Sequence, residues 1–183
     1  MKRLVIFLTL FIYGCAVKTW NVEGPSELSN GLVVKIDTKA WRFSPSDLDR
    51  YVLPIFISLE NKGKEPVSIR REDIFLVDDK GRQYNPIPPG DVANVLGRNY
   101  GVGFSFSVGY WSSPFGLWWS PYYAYPPSRD VYPDLVNKAL VFGELQPGAT
   151  LSGFVYFQKI PEDAKELTLN IKGYKFKLKA SKE

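Results

Sequence analysis

The sequence predicts an all-β protein, an antiparallel β sandwich with at most one short helix. Three observations predict it. Apolar and polar residues alternate with period two from Leu32 onward. Turn signals carrying Gly, Pro and Asp recur at short intervals. Few windows hold the 3.6-residue repeat of an amphipathic helix.

Leu32, Val34 and Ile36 share one face of the first strand, with Val33, Lys35 and Asp37 opposite. Tyr51, Leu53, Ile55, Ile57 and Leu59 form a second alternating series, which ends at Glu60-Asn61-Lys62-Gly63-Lys64. Gly63 suits the tight turn there, and Pro66 permits entry to a further strand but not a central place in it. Val67 and Ile69 lead on to residues 74–77. Asp78-Asp79-Lys80-Gly81 is then a hairpin turn with Gly81 as its left-handed residue, and residues 82–85 return. Leu145-Gln146-Pro147-Gly148 is another turn, followed by strands at 151–157, 167–171 and 174–178. A short helix fits residues 130–140. The domain is expected to run from residue 31 to 183.

Ahead of it lies a different pattern. Lys2 and Arg3 give a positive start, residues 4–12 are apolar except for Thr9, and Ile12-Tyr13-Gly14-Cys15 closes the run. This is the layout of an export signal, and the run is too short to span a bilayer. Its end resembles a bacterial lipobox. The resemblance implies that residues 1–14 are removed and that the Cys15 sulfur carries lipid, so the membrane is the first expected partner. Residues 16–30, with Gly24, Pro25, Ser26, Ser29 and Asn30, read as a flexible tether. Ala16 rather than Asp follows the cysteine, which by the same resemblance implies the outer membrane, facing the periplasm, in a diderm organism.

Composition narrows the function. The net charge of +4 includes Lys2 and Arg3, so the mature chain carries about +2, too little and too dispersed for nucleic acid. The single cysteine leaves no internal disulfide, and lipid on Cys15 would account for it. There is no histidine, and Met1 is the only methionine. That removes the commonest zinc, copper and non-haem iron ligand sets, the usual general base, and both Ser-His-Asp and Cys-His arrangements. No cofactor, no metal and no catalytic residue is expected. A competing enzyme would need a histidine-free carboxylate pair, as in a glycosidase, and no pair stands out.

Two stretches carry a family resemblance. Asn61, Gly63, Pro66 and Val67 form one turn pattern, and Phe75, Val77, Asp79, Gly81 and Tyr84 a hairpin pattern in which either Asp78 or Asp79 can be the acidic position. Leu145, Pro147, Gly148, Gly153, Val155 and Phe157 form a later strand pattern. Together they resemble the telokin-like, immunoglobulin-type domains of bacterial lipoproteins and other exported proteins, over residues 31–179. The resemblance implies an immunoglobulin-like sandwich with a binding or scaffolding role. It brings no catalytic residues.

Residues 99–128 break the pattern. No charge occurs between Arg98 and Arg129, and three of the five tryptophans fall there. Tyr110, Trp111, Phe115, Trp118, Trp119, Tyr122, Tyr123 and Tyr125 stand among Gly, Ser and Pro as a candidate contact surface. Three readings are open for this aromatic insertion: a satellite core folded over the sandwich, membrane contact at headgroup level, or recognition of an envelope protein or polysaccharide. Complete exposure of so many rings would favour aggregation.

Elsewhere, Asp47 and Asp49 read as a solvated turn, since the Gly and distal Glu of a calcium loop are missing. Arg70 and Arg71 beside Glu72 and Asp73 read as a salt-linked strand end. Lys175, Lys177 and Lys179 alternate with Tyr174, Phe176 and Leu178. They read as an edge strand guarded by lysines, or as a basic stripe facing anionic headgroups.

Overall fold

Two antiparallel sheets face each other across one apolar interior. The computed structural model describes residues 18–24, 27–28, 30–96 and 132–182. The first sheet has the order β1-β10-β9-β5-β6, from β1 (Lys18–Glu23), β10 (Tyr174–Lys182), β9 (Glu166–Ile171), β5 (Ile74–Asp78) and β6 (Gln83–Tyr84). The second is β2-β3-β8, from β2 (Leu32–Asp37), β3 (Val52–Asn61) and β8 (Thr150–Gln158). A two-stranded ribbon pairs β4 (Val67–Ile69) with β7 (Gly143–Leu145). Two short helices, α1 (Pro89–Val95) and α2 (Pro133–Asn137), complete the described elements.

Period-two alternation produces this arrangement. Leu32 and Val34 of β2, Ile55, Ile57 and Leu59 of β3, and Val155 and Phe157 of β8 point inward. They meet Trp20, Ile74, Leu76, Leu167, Leu169, Ile171, Phe176 and Leu178 of the first sheet. Burying each such side chain contributes roughly 1.5–3 kcal/mol, which is why the alternation fixes the register. Ile69 and Leu145, one on each strand of the ribbon, join the same interior.

The opposite face of the second sheet is also covered. Val52, Phe154 and Tyr156 pack with Trp41, Leu48, Val92 and Leu96, and with Leu135 of α2, into a second and smaller core. Trp41 is its centre, with rings set edge-on to Phe43, Phe154 and Tyr156 at 5.4, 5.0 and 6.0 Å. Its indole N–H donates to the Pro45 carbonyl at 2.8 Å, and the buried Tyr156 hydroxyl donates to the Leu135 carbonyl at 3.0 Å. Val92 of α1 and Leu96, just past its end, stand four apart, and the Leu96 N–H donates to the Val92 carbonyl at 3.1 Å, so both face the same side.

Three expectations are corrected. Residues 18–23, read as part of a tether, form β1, paired over its whole length with β10, and Trp20 is buried. β10 is not an edge strand, because β1 and β9 flank it. Among the described residues there are two short α-helices rather than at most one: α2 falls inside the expected 130–140 window and α1 lies outside it.

Candidate functional site

Cys15 and the eight aromatic residues of the candidate contact surface (Tyr110, Trp111, Phe115, Trp118, Trp119, Tyr122, Tyr123 and Tyr125) lie outside the described residues. Leu96 is buried in the second core, and Tyr132, at the other side of the gap, packs against the same core. Helices α1 and α2 touch each other. The described residues on either side of 97–131, Leu96 and Tyr132, therefore sit at one patch on the outer face of the second sheet.

Beside that patch lies an open groove of about 430 Å³. A cross-strand row builds its floor: Asp37 of β2 pairs with Phe56 of β3, which pairs with Phe154 of β8. The Phe56 and Phe154 rings lie 5.3 Å apart, edge to face. Phe43, from the loop after β2, stands 6.0 Å from Phe154 and forms one wall. Lys138, just past α2, holds its ammonium 4.9 Å from the centre of the Phe43 ring. Asn137 and Ser152 add polar rims. The Asp37 carboxylate accepts the Lys39 backbone N–H at 2.7 Å, which fixes it at the groove mouth. Flat apolar rings beside donors and acceptors suit a ligand with one apolar face and a polar edge.

Gly153 makes the groove wall possible. The segment after α2 lies directly on β8, with Leu140 N–H donating to the Phe154 carbonyl at 2.9 Å and Phe154 N–H to the Lys138 carbonyl at 2.8 Å. A Cβ on Gly153 would fall 2.5 Å from the Leu140 nitrogen. Only the bare glycine backbone lets the two chains approach so closely.

No known protein family, curated protein or solved structure matches this chain.

The most charged cluster of the first sheet belongs to the β5–β6 hairpin. The Asp78 side chain is fully buried. It accepts hydrogen bonds from the backbone N–H groups of Lys80 at 3.0 Å and Arg82 at 2.8 Å, from Arg82 Nε at 2.6 Å and from the Tyr84 hydroxyl at 3.0 Å. Burial alone would push its pKa up, but these donors outweigh burial and hold it at about 2. Burial and the Asp78 contact raise the Tyr84 hydroxyl in turn. Across the turn, Asp163 pairs with Lys80 and with Arg82 Nη2, the latter at 2.9 Å, and those two cations lower it to about 2. Asp78 rather than Asp79 thus closes the hairpin, and Asp79 turns outward to accept the Lys165 backbone N–H at 3.1 Å.

Asn61 plays the same part at the other end of the sandwich. Its amide donates to the carbonyls of Glu65 at 2.7 Å and Leu145 at 3.0 Å, and its side-chain oxygen accepts the Gly63 N–H at 2.9 Å. Both polar clusters are consumed in making turns.

The remaining singled-out residues fall on the surface. Asp47 and Asp49 flank Leu48 at the 3-10 turn Leu48–Arg50. Arg70 pairs with Glu72 at 3.4 Å and Asp73 at 3.7 Å, as the sequence suggests. Lys177 meets Glu166 at 3.4 Å and Lys179 meets Glu23 at 2.8 Å, so the basic stripe is partly neutralised by its neighbours in the sheet. Among the described residues, no cluster of three or more Cys, Asp or Glu side chains could hold a metal ion. Among the same residues, no helix is long and apolar enough to cross a membrane.

The groove went unseen in the sequence. Asp37, Phe43, Phe56 and Phe154 are far apart along the chain, and only strand register brings them together. One available signal was Phe56, an apolar residue on the face of its strand opposite the Ile55, Ile57 and Leu59 series.

Proposed function

We propose that this chain is a lipid-anchored envelope protein whose immunoglobulin-like sandwich serves as a non-catalytic binding or assembly module. The observation that carries the reading is the run from Lys2 to Cys15, with its lipobox-like end, directly ahead of a folded sheet that begins at Lys18. Residues 99–128 are the proposed contact surface for an envelope partner. Support comes from its composition, dense in aromatic residues and free of charge between Arg98 and Arg129. The outer membrane, with the domain in the periplasm, is the proposed location.

Two measurements test this. Cys15→Ala is expected to move the protein from the membrane fraction to the soluble envelope fraction; a variant that stays membrane-bound in high salt would refute the anchor. Crosslinking in intact envelopes, with residues 99–128 replaced by a short Gly/Ser linker, is expected to lose the captured partners while the sandwich stays folded. Unchanged partners would move binding to the sheet faces.

A second reading, glycan binding, is favoured by the groove, where the rings of Phe43 and Phe56 adjoin Asp37, Asn137 and Ser152. Titration with envelope oligosaccharides, comparing the wild type with Phe43→Ala, separates the two readings. Saturable binding lost in the variant supports the glycan reading.

A further inference from the structure

We infer that the partner of one particular end of the sandwich is the lipid surface itself: the end formed by Lys18, the 79–82 turn and the 159–165 loop lies against the headgroups. The inference rests on the lipid-anchor reading above and adds an orientation to it.

The argument is one of slack. Lys18 is the first residue of β1 and is held at once. Its backbone pairs with Lys182 in the β1–β10 ladder, and its Nζ donates to the carbonyls of Glu162, at 3.1 Å, and Ala164. Only three residue steps separate Lys18 from Cys15. A fully extended chain covers at most about 3.6 Å per residue, so those steps reach roughly 11 Å. A lipid on the Cys15 sulfur has its glycerol at headgroup depth. The start of β1 must then lie within about that distance of the membrane surface.

Strand register identifies what else is at this end. Lys179 of β10 pairs with Glu166, the first residue of β9, and Leu167 of β9 pairs with Asp78, the last of β5. The 79–82 turn and the 159–165 loop are therefore neighbours of Lys18, tied together by Asp163 with Lys80 and Arg82 and by Asp79 N–H to the Glu166 carbonyl at 3.1 Å. The Asn61-Lys62-Gly63-Lys64 turn and the Lys172-Gly173 turn are at the opposite end. The ten-residue β3 runs between the two ends, about 30 Å.

Charge does not supply the contact. Lys18, Lys80, Arg82, Lys159 and Lys165 are met at this end by Asp78, Asp79, Glu162 and Asp163, which leaves a single cation in excess. The tether does, by holding the surface at high effective concentration beside the bilayer. The orientation is accordingly expected to survive high salt.

The single native cysteine makes the test clean, because lipid blocks it and an introduced cysteine can be labelled alone. Lipidated Lys165→Cys and Lys64→Cys proteins, each carrying an environment-sensitive fluorophore, are reconstituted in phosphatidylethanolamine–phosphatidylglycerol vesicles with a headgroup-level quencher. Quenching at position 165 is expected to exceed that at position 64 at least threefold, in 50 mM and 500 mM salt alike (concentrations chosen to span roughly 14 to 4 Å of screening length). Inserting about twelve Gly and Ser residues after Val17 is expected to bring the two positions together while the protein stays bound, since such a linker allows a separation comparable to the domain's own length. Equal quenching at both positions in a protein whose intact mass includes the lipid overturns the orientation alone. A mature protein without lipid mass that leaves the vesicles on washing overturns the anchor reading and the orientation with it.

Discussion

Asp78 is a buried carboxylate with four donors converging on it, and its folded pKa of about 2 lies below its ordinary value of 3.8. A lowered pKa means that the ionised form is bound more tightly in the folded state. Its contribution is present in full above pH 3.8 and is lost as pH falls toward 2. That contribution is roughly 2 kcal/mol. Urea unfolding of Asp78→Asn is expected to show a loss of about 2 kcal/mol at pH 7. The difference from the wild type should shrink between pH 4 and pH 2, and a pH-independent difference would assign the effect to shape instead. Asp163 is lowered as well, but it is half exposed and adds little. The parity of Asp78 was legible in the sequence: it follows Ile74 and Leu76 on the inward face of β5. Its identity as the hairpin's acidic residue was not, because turn chemistry allows either neighbour and only burial separates them.

The long strands β2, β3, β8 and β9 were legible because each carries its own alternation. β1 was not. Only Trp20 and Val22 mark its inner face, and its partner β10 lies more than 150 residues away. The Gly24-Pro25-Ser26 run beside it reads as linker. β7 escaped for a similar reason, being three residues long and paired only with β4. Helix α1 opens with Pro89 and Gly90, both poor helix formers within a helix interior, and is held by the seating of Val92 and Leu96 in the second core rather than by propensity. Gly153 was visible as a glycine within a strand, but not the chain that crosses it. Gly153→Ala is expected to cost about 1–3 kcal/mol by pushing the 138–140 segment off β8. Hydrogen exchange should show this as lost protection at the Leu140 amide, with the β3 amides unchanged.

At the scale of the whole molecule, the two cores share the second sheet as a common wall but few side chains, so they need not melt together. Trp41→Ala removes the centre of the smaller core and is expected to cost that region about 3–5 kcal/mol. Amides of α1 and α2 should then exchange faster while those of β9 and β10 hold their rates, because local opening follows the cooperative unit. Equal acceleration in both cores would mean a single unit. The groove and the described residues that flank 97–131, Leu96 and Tyr132, all sit on the smaller core, the less massive part of the structure. The sequence hid this division, since residues 38–50 and 86–96 carry no regular period and acquire meaning only against Phe154 and Tyr156.

The pairing of β1 with β10 also has a mechanical consequence. Load applied ahead of Lys18 runs along the axis of β1, while the six paired positions from Lys18 to Glu23 lie side by side along that line. Such a pull shears all the rungs together instead of opening them one after another. The junction is strongest along the direction in which an anchored protein would be tugged, and weakest to a force that peels Glu23 sideways from the sheet.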